Sequence, residues 1–82
     1  MWFIYILLCA DTSFYIGITN NLEKRFVMHI QGRGAKYTKS HIPKKIVYSE
    51  SVTTRSEALK REAVLKKLTK SQKQLLIQSK VI

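Results

Sequence analysis

Beyond its phenols, this chain of 82 residues offers five carboxylates, two imidazoles and one thiol for acid–base, nucleophilic or metal chemistry. Asp11, Glu23, Glu50, Glu57 and Glu62 are scattered, so no pair of carboxylates is set up to share acid–base work. A two-metal site needs several bridging acids, which such a set hardly supplies. His29 and His41 are the only histidines, and no serine lies in a nucleophile-elbow context, which argues against a triad. Cys9 alone makes neither an internal disulfide nor a zinc site. What remains is one metal ion on one carboxylate, with phenols, an arginine and a histidine around it. That set suits phosphodiester hydrolysis. The metal would act as Lewis acid on a phosphate oxygen and the leaving group, and Arg25 would offset developing negative charge. A tyrosine or histidine would take the proton of the attacking water.

Positioning these groups falls first to the N-terminal residues. Trp2 to Cys9 is an apolar, β-branched and aromatic run of strand length, broken by Asp11-Thr12-Ser13. Phe14 to Thr19 reads as a second strand, closed by Asn20-Asn21, so the two form a β-hairpin. A three-residue loop at Asp11–Ser13 would pair Cys9 with Tyr15, Leu7 with Gly17 and Tyr5 with Thr19. Strand side chains alternate, so Tyr5, Tyr15 and Gly17 share one face. There the glycine leaves a gap beside two phenols where a ligand could bind. The plainer alternative is two core tyrosines and a glycine marking a bulge or close packing.

Asn20 or Asn21 can cap a helix over about Leu22–Gln31, with Leu22, Phe26 and Ile30 as its apolar stripe. Arg25 and His29 fall beside that stripe and could overhang the tyrosine face. Gly32 to Lys45 reads as a basic loop: Arg33, Lys36, Lys39, Lys44 and Lys45, with Tyr37 between them, suit phosphate contact plus stacking on a base or sugar. A solvated surface loop is the alternative there. Ile46 to Val52 reads as a third strand. A helix capped by Thr53, Thr54 or Ser56 follows to about Lys67. On it Glu62 falls within an apolar arc, and also four residues before Lys66, the order of an exposed ion pair, which is the plainer reading. Thr69 or Ser71 can cap a last helix, Gln72 to about Ser79. The fold expected is α+β: a small three-stranded antiparallel sheet flanked by three helices, in the order β-β-α-β-α-α.

The length fits one domain, residues 1–82, and one modest core. Fifteen Lys and Arg against five Asp and Glu give a formal charge of +10, the footprint of a polyanion binder. Nucleic acid is the first expectation; an anionic membrane surface and an acidic protein are the others. A single buried-type cysteine fits a reducing cytoplasmic setting. The apolar N-terminal run is too short to span a bilayer and lacks the basic start of a signal peptide, so no membrane partner is expected.

Phe3-Ile4-Tyr5, Tyr15-Ile16-Gly17, Arg25, His29 and Glu62 together resemble the GIY-YIG endonuclease domain, over nearly the whole chain. They are similar to the N-terminal incision domain of the nucleotide-excision-repair nuclease subunit. Gly34-Ala35-Lys36-Tyr37-Thr38 reads like the loop of small stand-alone bacterial-type members. The resemblance implies that Glu62 ligates a single Mg²⁺ or Mn²⁺ and that Arg25 contacts the scissile phosphate. Tyr5 or Tyr15 would orient or deprotonate the water, His29 would assist, and Gly17 would keep the substrate-facing strand clear. Gln74 stands near where the family often has an asparagine, and Phe3 where the family name has a glycine. The implied activity is metal-dependent endonuclease action on DNA, on branched or damaged structures, in repair or recombination. The alternatives are a non-catalytic nucleic-acid-binding module and a subunit of a larger nuclease whose protein partner supplies specificity. With no appended DNA-binding domain, binding should run mostly through phosphates and depend strongly on salt.

Overall fold

The computed structural model describes residues 1–79. Its elements are β1 (Trp2–Cys9), β2 (Phe14–Thr19), α1 (Leu22–Ile30), α2 (Lys36–Ser40), β3 (Pro43–Val52), α3 (Arg55–Lys66) and α4 (Lys70–Ser79). The sheet is antiparallel with β1 in the centre, in the order β2-β1-β3. The expected α+β order holds, with one addition. The basic loop contains the single-turn helix α2, because the Thr38 hydroxyl turns back to bond both the N–H and the C=O of Ala35. Strand β3 begins earlier than expected, at Pro43, which an edge strand tolerates at its first residue.

The hairpin register differs by two residues from the expected one. Tyr5 lies opposite Gly17, Leu7 opposite Tyr15, and Phe3 opposite Thr19. The loop still has three residues, but they are Ala10, Asp11 and Thr12. Cys9 N–H bonds Ser13 O at 2.9 Å and Thr12 N–H bonds Cys9 O at 2.9 Å. Thr12 takes a φ of 69°, the left-handed residue that closes such a loop. The Asp11 carboxylate holds it there, accepting from Ser13 N–H at 3.0 Å and from the Ser13 hydroxyl at 2.6 Å. A slip of two preserves sidedness, so Tyr5, Tyr15 and Gly17 share a face as the alternation requires.

The two faces of β1 bury different things. Ile4 and Ile6 pack with Ile16, Tyr48, Ala58 and Leu65 into the apolar core beneath α3, with Leu76 and Ile77 of α4 at its margin. Each fully buried aliphatic side chain there contributes roughly 1.5–3 kcal/mol. The opposite face carries Tyr5, Leu7 and Cys9, all buried, and Tyr5 meets His29 of α1. Helix α1 is rotated from its expected setting. Ile30 is 57% exposed and His29 fully buried, so the buried stripe takes in the histidine and leaves Ile30 in solvent.

Each long helix starts on a cap the sequence supplies. Asn21 accepts from Lys24 N–H and Thr54 from Glu57 N–H. Thr69 and Gln72 bond each other's backbone N–H in a capping box. Helix α3 is also hooked to β3. Arg61 Nε and Nη2 donate to the two oxygens of Glu50 at 2.9 and 3.0 Å, and the Tyr48 hydroxyl donates to the same carboxylate. None of the described helices is long and apolar enough to cross a membrane.

Removing the Arg61 end of this hook takes the guanidinium away from the less exposed Glu50 carboxylate. Arg61→Leu should destabilise the domain by roughly 1–2 kcal/mol, the pair being partly solvated. A lowered urea midpoint at unchanged slope checks this.

Candidate active site

Tyr5 stands in the middle of the central strand, and three close approaches define its setting. Its hydroxyl lies 2.7 Å from His29 Nε2, and His29 Nδ1 lies 2.8 Å from Thr38 Oγ1. A Cβ on Gly17 would come within 2.6 Å of the Tyr5 hydroxyl and 3.0 Å of Tyr15 Cε2. One on Gly34 would collide with His29 Nδ1. Gly17 is therefore buried under the two phenols. Its missing side chain makes room for the rings, where the sequence suggested a gap for a ligand. Gly34 lets the loop close over the imidazole.

The network assigns the tautomer of His29. Thr38 has one hydroxyl proton, donated to Ala35 O at 3.0 Å, and its oxygen accepts from Ala35 N–H at 3.2 Å. The contact with His29 then requires Nδ1 to carry a proton and donate it. Nε2 is left bare, and the Tyr5 O–H donates to it. Burial, reinforced by the positive charge of Arg25, lowers the His29 pKa from 6.5 to about 4, so the ring is neutral near pH 7. Burial also pushes the Tyr5 phenol up to about 12, against the pull of Arg25.

Arg25 comes from α1 one turn before His29. Its guanidinium interacts with Tyr5 first and with Tyr15 more weakly, and both raise its pKa. Its Nε is buried with no hydrogen-bond partner among the described residues. Glu62, on α3, is close enough for its negative charge to be felt at Tyr5. Its side chain is 18% exposed and pairs with Lys66 at 3.5 Å, so the ion pair expected from sequence forms as well. The structure thus brings Tyr5, Tyr15, Arg25 and His29 together, and the charge of Glu62 reaches Tyr5.

Tyr15 begins a stack of rings that sequence reasoning did not reach. Its centroid is 5.2 Å from that of His29 and 5.8 Å from that of Tyr37. Tyr37 lies flat on His41 at 3.9 Å, and His41 Nε2 reaches Asp11 of the hairpin loop at 3.7 Å. Thr38 and His41 had no periodicity to mark them. The close pair Gly32 and Gly34 was the one available signal that the loop packs tightly.

The remaining expected contacts divide. Lys36, Tyr37 and Lys39 lie on α2 beside the cluster, with both lysines exposed, and Lys44 is exposed on β3. Arg33 instead donates to Gln31 and lines a groove on the outer side of α1. Lys45 and Gln74 line a groove with Leu8, Phe14 and Ile77, on the sheet face that carries α4. The structure does not bring Arg33, Lys45 or Gln74 to the tyrosine cluster.

The family pattern described as the GIY-YIG catalytic domain matches residues 1–75. The chain belongs to the GIY-YIG family. GIY-YIG relatives include the UPF0213 protein of Clostridium perfringens, 52% identical over all of this chain and 88% of the relative. The UPF0213 protein YazA of Bacillus subtilis is 45% identical over 95% of this chain and 79% of its own length. Two solution NMR structures share the fold. One is the UPF0213 protein BH0048 from Bacillus halodurans, with 34% identity, a TM-score of 0.62, and coverage of 98% of this chain and 86% of that one. The other is the E. faecalis protein EF2693, with 44% identity, a TM-score of 0.63, and coverage of 94% and 82%.

GIY-YIG domains are nuclease domains that generally use a divalent metal. Among the described residues no three His, Cys, Asp or Glu gather to cage an ion. The donor set offers phenols, a guanidinium and one carboxylate, Glu62, whose charge is felt at Tyr5. That fits Mg²⁺, which keeps several waters and takes one or two carboxylates plus substrate phosphate oxygens.

Two outcomes test the buried network. Unfolding takes up a proton on His29 between pH 6.5 and about 4. Stability from this group is therefore complete above pH 6.5 and falls as pH drops toward 4, by about 3 kcal/mol in all. The His29 Hε1 resonance should stay unshifted until near that lower value; a midpoint near the free value would mean a solvated ring. Gly34→Ala should cost roughly 1–3 kcal/mol in urea unfolding by forcing loop and imidazole apart.

Proposed function

We propose that this GIY-YIG domain is a divalent-metal-dependent endonuclease that hydrolyses DNA phosphodiester bonds with a single metal ion. The observation that carries this reading is the Tyr5 hydroxyl. It is held on the bare nitrogen of a neutral histidine, with Arg25 beside it and Glu62 in range.

A phenol pushed up to about 12 is scarcely ionised at neutral pH, so its proton has to be handed on as another arrives. In this reading the attacking water gives a proton to the Tyr5 oxygen while Tyr5 passes its own to His29 Nε2. The imidazolium that forms keeps both its donors satisfied, Nε2–H by Tyr5 and Nδ1–H by Thr38. Tyr5 is 1% exposed, so the water would meet it beside the half-buried Tyr15 and Arg25 that cover it. Arg25, whose guanidinium meets both phenols, would hold a phosphate oxygen and offset the charge that builds there. Glu62 would hold the Mg²⁺ or Mn²⁺, which supplies Lewis acidity toward a phosphate oxygen and the leaving group when bound. Tyr37, half-buried and stacked with both Tyr15 and His41, would offer its exposed edge to a base or sugar, with Lys36 and Lys39 for phosphates.

The test is cleavage of plasmid, single-stranded, flap and four-way-junction DNA at low salt with Mg²⁺ or Mn²⁺. Wild type should cut and be silenced by EDTA. Glu62→Ala should bind DNA as wild type does and not cut. Tyr5→Phe should lose on the order of 10²–10⁴ in kcat, the range of a positioned proton-transfer group. Binding of every substrate with no cutting would instead leave a nucleic-acid-binding module.

A further inference from the structure

A cleft of about 220 Å³ opens on the tyrosine side of the hairpin, lined by Thr19, Asn20, Asn21, Lys24, Arg25 and Met28. Thr19 follows Tyr15 and Gly17 on the same face of β2, so the cleft lies about 13 Å further along the strand from Tyr15. Arg25 joins the two places, lining the cleft while its guanidinium meets the Tyr5 and Tyr15 phenols. The lining holds two cations, two amides and a hydroxyl, and no carboxylate. Neither Lys24 nor Arg25 forms an ion pair among the described residues, although Arg61, Lys66 and His41 each do. Arg25 Nε is buried and has no hydrogen-bond partner among the described residues. The larger groove on the outer side of α1 also includes Lys24 but contains Glu23, which makes it the poorer place for an anion.

We propose that this cleft is a phosphate subsite, taking a nucleic-acid backbone phosphate one or two nucleotides along the strand from the reacting one, with Lys24 as its principal charge. It rests on the nuclease reading for which phosphate reacts beside it. The strand then runs from the Tyr37 ring of α2, across Tyr15 and Arg25, to Lys24 at the start of α1. Backbone contact of this kind fixes register and carries no sequence information.

The test is binding of a labelled duplex oligonucleotide by fluorescence anisotropy across a salt titration, in EDTA so that no cleavage intervenes. Lys24→Gln should lower the slope of log K against log salt by about 0.9, the value of one duplex phosphate contact. Lys24→Arg should keep the wild-type slope. Lys60→Gln should change the slope far less, because Lys60 lies on α3 in a groove holding Glu50 and Glu57. An unchanged slope in Lys24→Gln overturns the subsite, as does an equal loss in Lys60→Gln, which would mean diffuse charge. No binding by wild type would overturn it together with the nuclease reading. A lost slope unit with no cutting by any form keeps the subsite and removes the nuclease. Cutting with an unchanged slope does the reverse.

Discussion

The rest of the molecule is arranged around one buried line of hydrogen bonds, from Tyr5 through His29 to Thr38. Polar groups taken out of water must be paired, and an unpaired one costs about 1–3 kcal/mol. This line is closed at both ends. The phenol donates to the imidazole, the imidazole to the threonine, and the threonine to a carbonyl of its own turn. Closing it requires two backbones to come nearer than any side chain allows, so the strand opposite Tyr5 carries Gly17 and the loop over His29 carries Gly34. The line is also what joins α1 and α2 to the sheet. The groups proposed for proton transfer and the groups buried by this packing are here the same atoms.

The other face of the sheet solves a different problem, the placing of one carboxylate among fifteen lysines and arginines. Asp11 is used in the hairpin loop, Glu50 by Arg61 and Tyr48, and Glu57 in the cap of α3. Glu23 sits in the first turn of α1. Glu62, paired with Lys66, is the one whose charge is felt at Tyr5. Successive helix residues are turned by about 100°. Once Arg61 is hooked to β3, the direction of the next residue is therefore set. The Glu50–Arg61 pair is thus more than a tie between strand and helix, because it also fixes the azimuth of the carboxylate that follows it.

Much of this was legible in the chain. Apolar runs and turn residues mark the hairpin, and period-two alternation puts Tyr5, Tyr15 and Gly17 on one side, although the pairing lies two residues from the one a loop at Asp11–Ser13 would give. The difference comes from Thr12, whose left-handed conformation nothing in a threonine advertises. Helix periodicity misled at Ile30, since a stripe of Leu22, Phe26 and Ile30 is more apolar than the one containing His29. The buried choice is made by a hydrogen bond that a hydropathy pattern does not register. Thr38 and His41 were invisible for the same reason, as their partners are distant in sequence or on another element. The basic residues were easy to find and hard to sort. Charge says that Arg33, Lys45 and Lys36 attract phosphate, but only the fold shows that the first two face away from the tyrosines.

That sorting bears on how a single glutamate could hold a metal in a chain of charge +10. The summed field of the domain attracts DNA and opposes a bare divalent cation, and Lys66 already neutralises part of Glu62. On the proposed reading, a phosphate bound at Arg25 would reverse the local balance, because it would bring both negative charge and oxygen ligands to the carboxylate. Metal and nucleic acid would then raise each other's affinity by the same factor, as thermodynamic linkage demands. A site of that design would be weak when empty and assembled by its substrate. One carboxylate would suffice because the substrate would bring the rest of the negative charge.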